Sequence, residues 1–202
     1  MRKSIFTPSP SFYLDDSLIQ NPENQLAPHP HPNGLMNVKL KVVLGLLATA
    51  IVIFAWLIVV QKPQAPSVAL TTLQGKTVDL ASLRGKVVLV NFWATDCPGC
   101  ISEMPVLVDM QHRYAAQGLE TLAVAMDYDK PEYVAAYAKK NDLPFIVAHD
   151  AEGKAANAFG EVRMTPTTFL IDKRGAIVKR YLGEPDFTQL RSLVETLLQA
   201  SA

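Results

Sequence analysis

The two cysteines of the chain are the residues whose types and spacing most directly indicate chemistry. Cys97 and Cys100 are separated by Pro98 and Gly99 in the stretch "NFWATDCPGC". Thiols in a C-x-x-C arrangement can form and break a disulfide between themselves, and so can exchange two electrons with another dithiol. The apolar run "VVLVNFW" before them predicts a buried strand, and a helix is predicted to begin near Pro98. Cys97 is therefore expected at a helix N-terminus, where unpaired N–H groups stabilise a thiolate.

Other roles for the pair fit the sequence less well. A purely structural disulfide would close a very small loop and stabilise the fold little. A zinc site needs two further ligands, and the chain has no second C-x-x-C. His112 and His149 are expected to be ordinary surface or core residues. The balanced charge, 19 basic against 19 acidic residues, gives no basic surplus that would indicate a nucleic-acid partner.

Predicted strands and helices alternate through the part of the chain after about residue 68. The predicted strands are 87–93, 119–126, 145–149, 167–172 and 176–182. The predicted helices are 98–117, 131–141 and 154–160. A last helix is predicted to begin at a capping box formed by Asp186 and Gln189. This order predicts an α/β domain with a parallel core, to which the hairpin at "KRG" adds antiparallel strands.

An uncharged run of 19 residues, Val42 to Val60, precedes this domain. At about 1.5 Å per residue it spans about 28 Å as a helix, which matches a bilayer core. The run is longer than a signal-peptide core and no good cleavage site follows it, so it predicts a retained transmembrane anchor. Lysines before the run predict a cytoplasmic N-terminus, with the domain in the periplasm or outside. The predicted divisions are a disordered tail at 1–41, the anchor at 42–60, a linker at 61–67 and the domain at 68–202.

Two features of the tail leave alternatives open. Met36 begins a short basic stretch directly before the anchor, so one hypothesis is that residues 1–35 lie upstream of the native start. His29 and His31 could bind a metal, but a pair without further ligands favours an ordinary role.

The stretch "RMTPTTFLID" holds a proline directly before a predicted strand. Proline cannot donate to a strand ladder. Pro166 is therefore either a cis proline in a tight turn or a trans proline at a sheet edge, and spacing alone leaves both open.

Taken together, "VNFWATDCPGC", "ISEMP" and "TPTTFLID" resemble the membrane-anchored thioredoxin-fold reductases of the TlpA, ResA and DsbE (CcmG) type. The resemblance covers about 68–202 and implies a thioredoxin-like α/β fold, a central mixed sheet flanked by helices, after an N-terminal transmembrane helix. It implies that Cys97 is the nucleophile and Cys100 the resolving thiol. It also implies that Pro166 is a cis proline facing the disulfide and that the Thr165 backbone pairs with substrate.

The same resemblance assigns modulating roles to residues around the thiols. Asn91 stands where cytoplasmic thioredoxins carry a buried proton-relay Asp, and Glu103 matches an acid that these reductases place near the thiols. Independently, Glu103 follows Cys100 by three residues and shares its helix face, with a solvated carboxylate as the alternative. Trp93 is expected to pack beside the site or simply in the core.

The family also implies partners. These are protein disulfide substrates, with cytochrome c maturation as one possible pathway, and a membrane electron donor of the DsbD or CcdA type at the cell inner membrane. No cofactor is expected beyond the redox-active disulfide of Cys97 and Cys100. A copper-handling thioredoxin-fold protein is the alternative, although no third ligand is obvious. A peroxidase is a third class, but it would use a lone peroxidatic cysteine.

Asp96 departs from the family, which commonly has Trp before the first cysteine. A carboxylate about 6 Å from the sulfur opposes thiolate formation by about 0.7 to 3 kcal/mol. A higher Cys97 pKa would remove stabilisation from the reduced form and make the protein a stronger reductant. Alternatively, Asp96 points to water and alters only the docking of partners.

We expect Asp96→Trp to lower the Cys97 pKa and to raise the reduction potential, because the opposing charge is removed. Titration of the thiolate absorbance in both proteins measures this difference. A wild-type pKa equal to or below that of the variant would contradict the electrostatic role.

Overall fold

The computed structural model describes residues 33–60 and 62–201. The first element is helix α1, Asn33–Val60, which contains the apolar run. Its stretch Asn37–Ile58 has 22 residues, none of them buried, and by length and composition it could cross a membrane. Residues 33–41, predicted as the end of a disordered tail, belong instead to α1, so that part of the prediction is wrong. The rest of the predicted tail, residues 1–32 with His29 and His31, lies outside the described residues.

The folded part of the chain contains seven strands and four further helices within the described residues. The strands are β1 (Ala69–Thr71), β2 (Thr77–Asp79), β3 (Val87–Trp93), β4 (Leu119–Ala125), β5 (Ile146–His149), β6 (Thr167–Ile171) and β7 (Ile177–Leu182). The helices are α2 (Pro98–Tyr114), α3 (Pro131–Lys140), α4 (Lys154–Ala158) and α5 (Phe187–Gln199). The predicted elements occur in the predicted order, and most of their bounds agree to within one or two residues, whereas β1 and β2 are additional to the prediction.

Strand β3 organises the main sheet, whose order is β5-β4-β3-β6-β7. It pairs parallel with β4 and antiparallel with β6, and β4 pairs parallel with β5. All seven residues of β3 are buried, because helices or loops cover both faces of the sheet. The predicted mixed sheet, with a parallel core and an antiparallel hairpin, is therefore confirmed.

The two faces of β3 enter two separate hydrophobic clusters. Val88, Val90 and Phe92 point into one cluster, where Phe92 contacts the ring of Phe159 with 5.4 Å between centroids. The opposite face belongs to a cluster formed with α2, α3 and α5. Asn91 is the one polar residue of β3, and it places an amide inside this second, mainly apolar layer.

Local signals explain how two of the helices begin. Pro98 occupies the first turn of α2, where a missing N–H costs nothing. The Asp186 side chain accepts hydrogen bonds from the N–H groups of Thr188 and Gln189, which confirms the predicted start of α5. The last predicted turn of α2 is instead a 3₁₀ turn at Ala115–Gln117, after which Gly118 adopts a positive φ of 102°.

The strand directions bring distant loops to one edge of the sheet. The carboxyl ends of β3, β4 and β5 lie there, together with the start of antiparallel β6. The loops that hold Cys97, Asp129 and Thr165 therefore meet at this edge, although they are far apart in the sequence.

Candidate active site

The two cysteines form a disulfide at the junction between β3 and α2. Cys97 is the N-cap of α2, and its Sγ accepts a hydrogen bond of 3.1 Å from the N–H of Cys100. Their Cα atoms are 5.2 Å apart. Cys97 is partly exposed, whereas Cys100 is fully buried. An external group can therefore reach one sulfur of the pair and not the other.

A proline from the opposite loop packs against the turn between the cysteines. The Thr165–Pro166 peptide bond is cis. A Cβ placed on Gly99 would lie 3.5 Å from Cδ of Pro166, so the proline ring sits directly beside the C-x-x-C turn. The carbonyl of Pro166 accepts a hydrogen bond of 2.8 Å from the Gly183 N–H, which fixes this loop to the end of β7.

Thr165 lies in the loop directly before the cis proline. Among the described residues, its peptide N–H and C=O have no hydrogen-bond partner, and its hydroxyl lies 3.3 Å from that of Tyr128. Three large apolar or aromatic side chains around this loop are more than half exposed, namely Tyr128, Met164 and Leu182. Exposed backbone beside exposed apolar groups is the arrangement that binds an extended peptide.

A buried polar cluster lies on the α2 side of the sheet. Asn91 Nδ2 donates to Glu103 Oε1 at 2.6 Å and to Thr168 Oγ1 at 2.9 Å. Asn91 and Thr168 are direct cross-strand neighbours of β3 and β6. All three side chains are buried, and within the described residues Asn91 Oδ1 and Glu103 Oε2 have no hydrogen-bond partner. The alternative of a solvated Glu103 is therefore wrong.

This environment changes the protonation of Glu103. Burial raises the pKa of its carboxyl to about 7, because an apolar layer disfavours the charged form; the hydrogen bond from Asn91 opposes the rise, and the negative charge of Glu184 adds to it. Glu103 follows Cys100 by one helical turn. A carboxyl whose pKa is near neutral can accept or return a proton at neutral pH.

The remaining predicted residues have different surroundings. Trp93 is fully buried, with its ring 5.3 Å from that of Tyr137, so it packs in the core. Asp96 is exposed at the rim of the turn. Because water and salt screen an exposed charge, the repulsion between Asp96 and a Cys97 thiolate is expected at the low end of its range. The effect of Asp96 on Cys97 stays a prediction.

Sequence reasoning missed several residues that the fold brings to this edge. Thr168 and Tyr128 form hydrogen bonds with predicted residues, and Asp129 binds Thr95 in the loop before Cys97. The charge of Glu184 adds to the raised pKa of Glu103. The contact between Thr95 and Asp129 could have been predicted from the sequence. Each residue follows a predicted strand, and the carboxyl ends of neighbouring parallel strands meet at one edge of a sheet.

Metal ligands are not grouped around the disulfide. Across residues 33–60 and 62–201, no group of three or more His, Cys, Asp or Glu side chains is arranged to hold a metal ion. The relatives described next lend no support to the copper-handling alternative.

The fold, with a C-x-x-C disulfide at a helix N-terminus and a cis proline beside it, defines a thioredoxin-fold thiol–disulfide oxidoreductase. A family model described as Redoxin matches residues 61–197, and the chain belongs to this family. Within the thioredoxin superfamily it is a TlpA/ResA/DsbE-like protein, which confirms the resemblance noted in the sequence.

Individual relatives agree with this assignment. A thiol-disulfide oxidoreductase ResA of Bacillus cereus is 37% identical over 135 residues, which are 66% of this chain and 76% of that protein. The solution structure of a putative thioredoxin from Neisseria meningitidis is 43% identical with a TM-score of 0.65, and the match covers 70% of this chain and 93% of that one. A putative thiol:disulfide interchange protein DsbE from Chlorobium tepidum is 31% identical with a TM-score of 0.64, covering 68% and 97%.

We expect Glu103→Gln to remove a pH-dependent part of the unfolding free energy while keeping an oxygen that can accept from Asn91. The folded-state pKa of Glu103 is raised from 4.5 to about 7, so folding favours its protonated form. The resulting stabilisation is complete below about pH 4 and is lost as the pH rises through 7. Between about pH 4 and pH 8, the unfolding free energy of the oxidised wild type should fall by about 3 kcal/mol more than that of the variant.

Urea unfolding of the oxidised proteins at a series of pH values measures this difference. The exposed Glu132→Gln is the control for removal of a charge. Parallel pH profiles for wild type and Glu103→Gln would contradict a raised pKa.

Proposed function

We propose that this chain is a membrane-anchored reductant of protein disulfides that acts outside the cytoplasm. The observation that carries the proposal is the pairing of a partly exposed Cys97 with a fully buried Cys100 at the start of α2. Only the exposed sulfur can meet a disulfide in another protein. The buried sulfur is positioned to resolve the complex that results.

The proposed cycle begins with the Cys97 thiolate. It attacks one sulfur of the client disulfide, which breaks that bond, forms a mixed disulfide and releases the other client sulfur as a thiolate. Cys100 then loses its proton and attacks the Cys97 sulfur, which releases the second client thiol and closes the disulfide of the enzyme. Two electrons pass from the enzyme to the client, and no cofactor beyond the two cysteines takes part.

The residues around the cysteines have defined roles in this cycle. The Glu103 carboxyl, with its pKa raised to about 7 by burial, accepts the proton of Cys100, and Asn91 orients it through the 2.6 Å hydrogen bond. The free peptide groups of Thr165 pair with the backbone of the client. The exposed side chains of Tyr128, Met164 and Leu182 contact apolar client residues on either side.

The apolar helix supports a place of action outside the cytoplasm. Residues Asn37–Ile58 form the anchor, the N-terminus lies in the cytoplasm, and the catalytic domain lies on the far side of the inner membrane. No soluble thiol pool is assured there, so a membrane dithiol donor of the DsbD or CcdA type supplies the two electrons and two protons that restore the thiols. The family resemblance suggests cytochrome c maturation as one pathway that supplies clients.

We expect Cys100→Ala to accumulate clients as mixed disulfides on Cys97, because the resolving thiol is absent. Cells that express the full chain are acid-quenched and alkylated, and the captured proteins are identified by mass spectrometry. Cys97→Ala is the matched control, because its remaining thiol is buried, and it should capture little. Exported proteins with paired cysteines are the expected clients.

Two results would contradict the proposal. Failure of Cys100→Ala to capture more protein than Cys97→Ala would argue against nucleophilic attack by Cys97. Capture of cytoplasmic proteins alone would place the domain on the wrong side of the membrane.

A further inference from the structure

A second buried carboxylate, Asp129, holds the loop that leads into Cys97. Its Oδ2 accepts a hydrogen bond of 2.6 Å from the Thr95 N–H, and its Oδ1 accepts one of 2.7 Å from the Thr95 hydroxyl. Asp129 is only 6% exposed. Both oxygens therefore face a single residue, two positions before the reactive cysteine, and hydrogen bonds to a charged acceptor are the strong ones.

Asp129 is itself held rigidly from the other side. Its N–H donates to the Met126 carbonyl at 3.1 Å, and the Met126 N–H donates to the Trp93 carbonyl at 3.0 Å. Nε2 of His149 lies 2.9 Å from the Asp129 carbonyl oxygen. The loops that leave β3, β4 and β5 are thus linked to one another at the edge of the sheet.

The loop before Cys97 has few other restraints. Only one backbone hydrogen bond closes it in the described structure, from the Cys97 N–H to the Ala94 carbonyl at 3.3 Å. The position of the Cys97 sulfur is therefore set by helix α2 on one side and by the contact of Thr95 with Asp129 on the other. Loss of the second restraint would let Cys97 move relative to Cys100, which is fixed inside the helix.

We propose that Asp129 is a positioning residue that holds Cys97 within reach of Cys100 in the reduced protein. Prior ordering of two reacting groups favours their bond, because less freedom is lost when the bond forms. The contact thus favours closure of the disulfide, which makes the reduced protein a better electron donor. The role concerns the exchange between the two thiols and holds whichever way electrons flow in the cell.

The test measures how readily the pair closes. The full chain in detergent is equilibrated with glutathione buffers, and the release of glutathione from its mixed disulfide with Cys97 is timed. We expect Asp129→Ala and Thr95→Val to shift the equilibrium toward the reduced protein and to slow closure, each by about tenfold. Thr95→Ser keeps the hydroxyl and should behave like the wild type. Asp129→Asn can still accept from the N–H of Thr95 and donate to its hydroxyl, so it should close faster than Asp129→Ala.

A matched control separates positioning from general stability. Asp172 is 7% exposed, and its Oδ1 accepts from the N–H groups of Arg174 and Ala176 in the β6–β7 turn, at the opposite end of β6 from Pro166. Asp172→Ala should lower the thermal midpoint as Asp129→Ala does, yet leave the glutathione equilibrium and the closure rate unchanged.

Equal behaviour of Asp129→Ala and Asp172→Ala in the redox measurements would overturn the proposal. If Asp129→Ala does not fold, the comparison of Thr95→Val with Thr95→Ser decides, because both keep the backbone hydrogen bond. Identical closure by these two variants would then overturn it. The two proposals can fail separately. If the wild-type disulfide closes normally in glutathione but the protein captures no client, the proposed function is contradicted and this role of Asp129 is not.

Discussion

The burial of one ionisable carboxyl, that of Glu103, between α2 and the central sheet is the constraint on which the site depends. Glu103 lies on the face of α2 that packs on the central sheet, so water cannot stabilise its charge. Asn91 is the only polar group that β3 offers it, and the resulting hydrogen bond compensates burial only in part. The carboxyl is therefore poised to exchange a proton near neutral pH, one helical turn from Cys100.

The rest of the site follows from where β3 ends. Because this strand is central and continues directly into α2, Cys97 lies at a helix N-terminus and Cys100 lies in the interior. The neighbouring strands then bring two further loops to the same edge. One places Pro166 against the turn between the cysteines, and the other places Asp129 against Thr95. The cysteines thus lie at the start of one helix, and the loops packed around them belong to other strands.

Much of the fold could be predicted because its signals are local. The apolar run of β3 and the cap at Asp186 each indicate an element without reference to the rest of the chain. The short hairpin of β1 and β2 was missed, since three-residue strands carry little periodicity.

The site likewise has a part that local sequence signals predict and a part that depends on tertiary packing. The C-x-x-C motif identifies Cys97 and Cys100, but the burial of Glu103 and its contact with Asn91 depend on how α2 packs across the sheet. The contact of Asp129 with Thr95 joins residues 34 positions apart, and only the pairing of β3 with β4 brings them together.

Glu103 is expected to titrate near neutral pH because it is buried, and its carboxyl can be observed directly. The oxidised protein is labelled with ¹³C at the glutamate side-chain carboxyl, the Glu103 signal is assigned by its absence in Glu103→Gln, and its chemical shift is followed by NMR from acid to alkaline pH. The structure predicts a midpoint at about 7, well above the ordinary 4.5. A Glu103 signal that titrates at the ordinary value, together with the exposed glutamates, would contradict the account.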